Sequence, residues 1–463
     1  MTTTATRLPA QPPSSDRPGP GAVDPKDPRF WSSRKRTRYA WMLTILLLFL
    51  MMLSWADKAV LGVAALPLMQ ELNITPQQFG LVSSAMFLTF GLAQLLAAPL
   101  ANKVRAKTLL LVMCLIWSLS VMPVVVFATL PALWVSRLAL GAGEGPLAPV
   151  LMHAVYKWFP SKKGATPAAV ASAGVTLGIA VFAPVLAWVV TQHGWRTAFI
   201  SLAVVGVVWC TVWMLLGKEG PYTSLAAERE IEGPETVAPA PGATRISEEK
   251  VPFFRSIANP TWIFAVLASF FGYWTFTLAM SWGPAYFQTV MGFSGQQAGS
   301  LIALPALWGV VATVGLSILI QRLDQRGVPS RRSRGWTLGL AGTAAGAALL
   351  ASTFVSSPVL GVALMSFGFG TAPAMFAITY LVVGELTTIS QRGGHLNVAN
   401  AVLTTGGVFA PAVGGFLIGG AAAPADGYRM AFQVTAVLLL AFGLLAVAFV
   451  NQQKQRRKLG IEV

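Results

Sequence analysis

Four charged residues lie inside long apolar stretches of the sequence, where a charge is costly. Asp57 and Lys58 are neighbours in the first of these stretches, and Arg137 and Glu144 share the fourth. A charged side chain at the centre of a bilayer costs at least about 2.5–3.5 kcal/mol on insertion scales, so such residues usually pair or line a water-filled path. These four side chains are therefore the first candidates for chemistry.

The spacing of the four charges restricts how they can pair. Arg137 and Glu144 are seven residues apart, about two helical turns, so they share one helix face. Asp57 and Lys58 cannot face one another along a helix, so each needs a partner elsewhere. The simplest arrangement pairs Asp57 or Glu144 with Arg137 and leaves Lys58 to meet an anion. Because the four charges sum to zero, a static packing network is the alternative.

Weaker candidates are polar and aromatic side chains in the apolar stretches, which more often pack than bind a ligand. They are Trp55, Gln94, Thr176, Tyr273, Tyr286, Thr379, Asn397 and Asn400. The three histidines, His153, His193 and His395, lie near the ends of stretches and are interpreted as interfacial or loop residues. The sequence contains no Walker loop, zinc-ligand spacing or nucleotide fingerprint, so we expect neither an enzyme nor a cofactor or metal.

The composition indicates that lipid surrounds most of the chain. Of the 463 residues, 55% are hydrophobic and only 11% charged, against about a quarter charged in soluble domains. Each bilayer crossing needs roughly 20 apolar residues. We predict an all-α membrane protein with twelve transmembrane helices at about 39–70, 77–101, 107–128, 131–157, 164–191, 195–217, 260–288, 293–321, 335–355, 358–384, 396–420 and 429–450.

These twelve spans divide into two six-helix bundles, at 39–217 and 259–450. The segment between them, 218–258, carries seven Glu among Pro and Ala and cannot bury a core, so it is predicted to be a linker. Residues 1–38 form a predicted disordered tail, and 451–463 form a basic one.

The charge distribution predicts the orientation of the chain. Of the 33 Lys and Arg, only Lys58, Arg137, Arg196 and Arg429 fall inside apolar stretches or in the loops assigned to the outside. The net charge of +16 therefore reflects the positive-inside bias and not nucleic-acid binding. We expect both termini, and the linker, in the cytoplasm of a bacterial-type inner membrane.

The two halves carry related segments. Val-Phe-Ala-Pro at 181–184 recurs at 408–411, and Gly-Trp-Arg-Thr-Ala-Phe at 194–199 recurs as Gly-Tyr-Arg-Met-Ala-Phe at 427–432. Parallel repeats of six spans place a ligand site near the bilayer midplane, between the halves.

Three motifs carry a resemblance to a known family. They are Arg-Leu-Ala-Leu-Gly-Ala-Gly-Glu-Gly-Pro at 137–146, Asp-Lys-Ala-Val-Leu-Gly-Val-Ala at 57–64 and Trp-Gly-Pro-Ala-Tyr at 282–286. Over about 39–450 the chain resembles the anion:cation symporter family of the major facilitator superfamily. Lys58 departs from the pattern, because Arg is usual there and an ammonium cannot make a bidentate fork to a carboxylate.

The resemblance implies proton-coupled symport of a small organic anion, such as a sugar acid or an aromatic or dicarboxylic acid, by alternating access. It implies that Asp57 and Glu144 carry protons and that Lys58 and Arg137 engage the substrate carboxylate. The partners expected for a monomer are then the anion, protons and the lipid bilayer.

Two other functions stay open at this point. A proton-driven exporter typically carries Gly-Pro-x-x-Gly-Gly in its fifth span, where this chain has Ala-Pro-Val-Leu-Ala-Trp at 183–188. A ligand sensor on a transporter scaffold would need a signalling partner, for which the tails offer no domain.

Overall fold

The computed structural model describes residues 27–101, 104–232, 252–388 and 391–459, and all regular secondary structure within them is helical. Most of the predicted N-terminal tail, residues 233–251 of the predicted linker and the last four residues lie outside the described part.

The first six spans are long apolar helices, several of them interrupted by a single residue. Their bounds are Ser33–Val63 with Ala65–Leu72, Pro76–Ala101, Ala106–Ser120 with Met122–Phe127, Leu130–Glu144 with Leu147–Tyr156, and Ala165–Ser172 with Gly174–Leu216. The last of these helices contains two spans, because Gly194 takes a non-helical conformation with φ of 82° inside it. Glycine adopts a positive φ without the steric cost that a Cβ would bring.

The last six spans follow the same plan. Their bounds are Pro260–Thr289, Gly295–Leu301 with Ala303–Gln325, the π-helix Arg331–Trp336 with Thr337–Ser352, Pro358–Glu385, Arg392–Thr404 with Gly406–Gly420, and Pro424–Phe449. Ten helical stretches in the described chain are long and apolar enough to cross a membrane. The stretch Ala165–Leu216 contains two spans that meet at Gly194, and the ninth span is not among the ten. Counting both gives the predicted twelve spans.

Both halves begin and end on the same side of the molecule, which we call the linker face. The short helix Leu225–Glu232 packs there against the first half. Its Glu228 accepts hydrogen bonds from the backbone N and Oγ of Ser161, both at 2.8 Å. Glu232 forms an ion pair with Arg36 at 3.0 Å. The start of the predicted linker is therefore held against the first bundle.

The repeated segments occupy equivalent places in the two halves. Those at 181–184 and 408–411 lie in the fifth and eleventh spans, and those at 194–199 and 427–432 lie near the starts of the sixth and twelfth. The sequence repeat is thus a repeat of structure.

The two halves are in backbone contact at the side away from the linker face, which we call the opposite face. A Cβ added at Gly80 in the second span would lie 2.4 Å from the Pro411 carbonyl oxygen in the eleventh. A Cβ at Gly415 would lie 2.4 Å from the Pro76 carbonyl oxygen. Small residues allow helices in lipid to approach this closely.

Two further contacts complete this closure. A Cβ at Gly62 in the first span would lie 1.9 Å from the Met280 carbonyl oxygen in the seventh, and one at Gly299 in the eighth would lie 2.5 Å from Ala187 in the fifth. The structure is therefore closed at the opposite face.

We predict that Gly80→Val opens the opposite face. Overpacking costs typically about 1–3 kcal/mol, and in this structure Gly80 lies against Pro411. The readout is disulfide cross-linking of the pair Gln77→Cys and Gly419→Cys, because the end of the Gln77 side chain reaches Gly419 across the boundary. Cross-linking should fall several-fold.

The matched control is Gly91→Val in the same span, because a Cβ there meets nothing within 4 Å. This control should cross-link as the parent does. Equal cross-linking in Gly80→Val and Gly91→Val would show that the glycine contact does not control closure.

Candidate functional site

The centre of the site is an ion pair between Lys58 of the first span and Glu144 of the fourth, both buried. The Lys58 ammonium also donates to Ser54 Oγ at 2.9 Å, one helical turn earlier. This pairing differs from the arrangement inferred from spacing, in which Arg137 took a carboxylate and Lys58 stayed free. That pairing is wrong because spacing along the sequence does not show how the first and fourth spans face each other.

Aromatic rings surround the Lys58 ammonium. Its nitrogen lies 5.0 Å from the ring centroid of Trp55 and 5.4 Å from that of Phe90, within cation–π range. Lys58 also lines a small cavity of about 10 Å³, about the space of one water molecule. The cavity joins the two halves, because its walls are Trp55, Lys58, Leu61, Ser83, Met86 and Phe87 on one side and Phe276, Met280 and Ser281 on the other.

Arg137 is fully buried in the fourth span, and within the described part of the chain none of its three side-chain nitrogens has a hydrogen-bond partner. Its guanidinium lies 5.1 Å from the ring centroid of Phe199. The charges of Asp57 and Glu144 act on it. The structure therefore brings the four predicted charges together, with Lys58 at the cavity and Arg137 behind it.

A larger cavity of about 470 Å³ lies between the halves, toward the linker face. Three predicted residues, Gln94, Asn397 and Asn400, line it. His153, exposed in the last turn of its helix, lines it as well. The Tyr380 hydroxyl donates to Asn400 Oδ1 at 2.7 Å, which fixes the orientation of that amide.

Four of the weaker candidates line neither cavity. One is Tyr273, whose ring lies 6.3 Å from that of Phe87 across the boundary between the halves. Thr379 is buried and its hydroxyl is 2.7 Å from Ser269 Oγ. The ring of Tyr286 packs on Phe432, with 4.3 Å between centroids. Thr176 is half-buried on the fifth span. In this conformation Thr379 and Tyr286 have packing roles within the second bundle.

Other residues of the site gave no signal in the sequence. Phe87, Phe276 and Ser281 line the central cavity, but Phe and Ser are common in apolar spans. His395 is buried, 2.5 Å from Ser256 Oγ, and is therefore not the loop or interfacial histidine expected. No cluster of potential metal ligands occurs among the described residues.

Twelve spans in two related halves, with buried charges at the boundary between them, define a membrane transporter. The chain belongs to the Major Facilitator Superfamily, whose family model matches residues 47–383. The predictions of an all-α membrane fold and of a transporter in place of an enzyme are confirmed.

The chain is similar to several bacterial transporters. It is 27% identical to the probable sulfoacetate transporter of Cupriavidus necator, over 90% of this chain and 95% of that protein. It is 24% identical to the hexuronate transporter of Bacillus subtilis, over 81% and 87%. It is 26% identical to the probable L-galactonate transporter of Escherichia coli, over 88% of each.

Solved structures share the fold at lower identity. A bacterial homologue of the human lysosomal transporter Spinster, inward-facing and unoccupied, is 17% identical with a TM-score of 0.72, covering 91% of this chain and 98% of that one. The D-xylose–proton symporter is 14% identical with a TM-score of 0.70, covering 90% and 99%.

We predict that loss of one charge of the central pair destabilises the protein more than loss of both. Lys58→Met leaves Glu144 buried without its partner, and breaking a buried pair costs about 3–5 kcal/mol. The double variant Lys58→Met/Glu144→Gln leaves no unpaired charge of this pair. Thermal unfolding in detergent should give Lys58→Met the lower melting temperature.

Arg429→Gln is the control, because its pair with Asp426 is exposed and long, at 3.7 Å. Exposed pairs contribute about 0–1 kcal/mol. A double variant no more stable than Lys58→Met would contradict the pairing.

Proposed function

We propose that this protein carries a small organic anion together with a proton across the bacterial inner membrane by alternating access. The observation that carries the proposal is the buried ion pair of Lys58 and Glu144 beside a cavity that joins the two halves. The similar proteins named above are a probable sulfoacetate transporter, a hexuronate transporter and a probable L-galactonate transporter, and all three compounds are anions.

The ion pair supplies a means of coupling. An anion that enters the cavity meets the Lys58 ammonium, which has three donors and already serves Ser54 and Glu144. A carboxylate or sulfonate then competes with Glu144 for Lys58. Glu144 loses the cation that stabilises its charge, and in an apolar surrounding the neutral acid becomes the favoured form.

Charge balance predicts the stoichiometry. The four buried charges sum to zero, so a bound monovalent anion leaves one uncompensated negative charge in a low-dielectric site, which is costly. One proton on Glu144 restores neutrality. We therefore expect one proton for each monovalent anion, and Asp57 is the second candidate for the proton.

The resemblance implied that Arg137 engages the substrate carboxylate, and we propose a different role for it. Its burial keeps it out of the cavity, while the charges of Asp57 and Glu144 act on it. We infer that Arg137 is a positioning residue, a fixed positive charge that holds whichever carboxylate remains ionised.

Alternating access needs two moving bodies, for which we propose the bundles 39–217 and 259–450, joined by the linker 218–258. The linker face, with the tails 1–38 and 451–463, lies in the cytoplasm. The cavity lined by Gln94, Asn397 and Asn400 is then the cytoplasmic route, and the glycine contacts form the outer seal. We propose that the transporter works as a monomer.

The first test of coupling uses Glu144→Gln in liposomes with an imposed pH gradient. Uptake is measured with radiolabelled sulfoacetate, glucuronate and benzoate. Glu144→Gln should lose gradient-driven accumulation by about tenfold or more, the effect of 1.4 kcal/mol of lost driving force, yet retain exchange at equal concentrations, because exchange need not cycle the proton.

Asp426→Asn, an exposed carboxyl changed in the same way, should accumulate the anion as the parent does. If Glu144→Gln accumulates the anion as the parent does, the coupling role belongs to Asp57 instead. If none of the three anions is accumulated or exchanged by the parent, organic-anion transport is itself contradicted.

The second test concerns the anion partner. Lys58→Ala should abolish binding of the anion found in the exchange assay, whereas Lys58→Arg should keep part of it, because the positive charge remains. Isothermal calorimetry measures both. Normal binding by Lys58→Ala in a folded sample would assign Lys58 to packing alone.

A further inference from the structure

A cluster of aromatic rings crosses the boundary between the two halves beside Lys58. We call Trp55, Phe87, Tyr273, Phe276 and Phe376 the aromatic cluster. Trp55 of the first span meets Phe276 of the seventh at 5.5 Å between ring centroids, edge to face. Phe87 of the second span meets Tyr273 at 6.3 Å in the same arrangement. Both contacts must part when the halves separate.

The cluster continues into the second half without a break. The ring of Tyr273 lies 6.2 Å from Phe276 and 5.7 Å from Phe376, which belongs to the tenth span. At its other end, Lys58 stands over Trp55. One positive charge and a wall of rings therefore meet at the centre of the molecule.

Two hydroxyl groups near the cluster are bonded within their own helices. Ser83 Oγ donates to the Phe79 carbonyl at 2.8 Å, and Thr277 Oγ1 donates to the Tyr273 carbonyl at 2.9 Å. Their hydrogens are therefore not available to a ligand, and a ligand hydroxyl left without a partner costs binding energy.

The charged side chains around the cavities are also unevenly distributed between the two halves. Within the described residues, the second half contributes no charged side chain to the walls of either cavity. A second acid group at the far end of the ligand would therefore face Phe276 and Met280 in place of a cation. The walls favour a single negative charge at one end of the ligand.

We propose that the substrate is a monovalent acid with a flat aromatic body, which places its acid group on Lys58 and its ring between Trp55 and Phe276. This inference rests on the proposed function and narrows it. It separates this protein from the similar transporters of sulfoacetate, hexuronate and L-galactonate, whose substrates contain no aromatic ring.

The test is exchange by the full-length protein in liposomes. Vesicles loaded with unlabelled benzoate should take up radiolabelled benzoate, and external phenylacetate should compete with it. Glucuronate and sulfoacetate at the same concentration should compete at least about tenfold less well, which corresponds to one unmatched polar or charged group in the site.

Ring-removing variants connect this preference to the cluster. Trp55→Leu and Phe276→Leu should raise the KM for benzoate about 3- to 10-fold, the effect of one aromatic contact. Phe276→Tyr keeps the ring and should raise the KM less than Phe276→Leu does. Phe416→Leu, a ring lost from an exposed position of the eleventh span, should leave KM unchanged.

The outcomes distinguish a failure of the aromatic assignment from a failure of the proposed function. Uptake of glucuronate or sulfoacetate with no effect of benzoate would overturn the aromatic assignment while leaving organic-anion transport intact. No exchange of any of these acids would overturn both. Because Phe416→Leu reports on the general effect of losing a ring, equal increases in KM in all four variants would also contradict the assignment.

Discussion

The transporter depends on one electrostatic constraint: charges inside the apolar interior must stay balanced. Lys58, Arg137, Asp57 and Glu144 satisfy it as a group of two cations and two carboxylates. Only Lys58 also reaches a cavity between the halves, so an incoming anion can act on the group only through this residue. In the proposed mechanism, an anion that does so disturbs the balance, and a proton is the smallest charge that restores it. Under this proposal, binding and protonation are parts of one event.

In the proposed cycle, the seal at the opposite face connects this event to movement. Trp282 Nε1 donates to the Pro411 carbonyl at 3.0 Å, and the same carbonyl faces Gly80 across the boundary. The Trp282 ring also meets Phe79 of the second span at 5.0 Å. The seventh-span motif at 282–286 thus belongs to the seal, and it lies a few residues from Phe276 on the same helix. A ligand that parts Trp55 from Phe276 acts on the helix that carries the seal.

The sequence predicts the spans well because each requires about 20 apolar residues in a row, a strong one-dimensional signal. The four charges were also recognisable as a group, since charge inside an apolar span is rare. Their pairing was not predictable. Arg137 and Glu144 share a helix face, yet one side chain lies over Phe199 and the other reaches Lys58. That difference arises from the positions of the neighbouring helices, and the spacing of residues along one helix gives no information about those positions. Of the aromatic cluster, Trp55 and Tyr273 are among the weaker candidates from the sequence. The three Phe residues are not, because Phe in a membrane span carries no information about which way it faces.

Lysine at position 58 has a consequence for selectivity. An Arg guanidinium binds a carboxylate through two parallel hydrogen bonds and so fixes its orientation, whereas an ammonium acts as a compact point charge. With Lys58 shared between Ser54 and Glu144, the acid group of a ligand is attracted but weakly oriented. Orientation must then come from the rest of the ligand, and the surfaces available for it are Trp55 and Phe276. A point charge beside flat rings discriminates by the shape of the apolar body more than by the geometry of the acid, so carboxylates and sulfonates of the same body should bind alike.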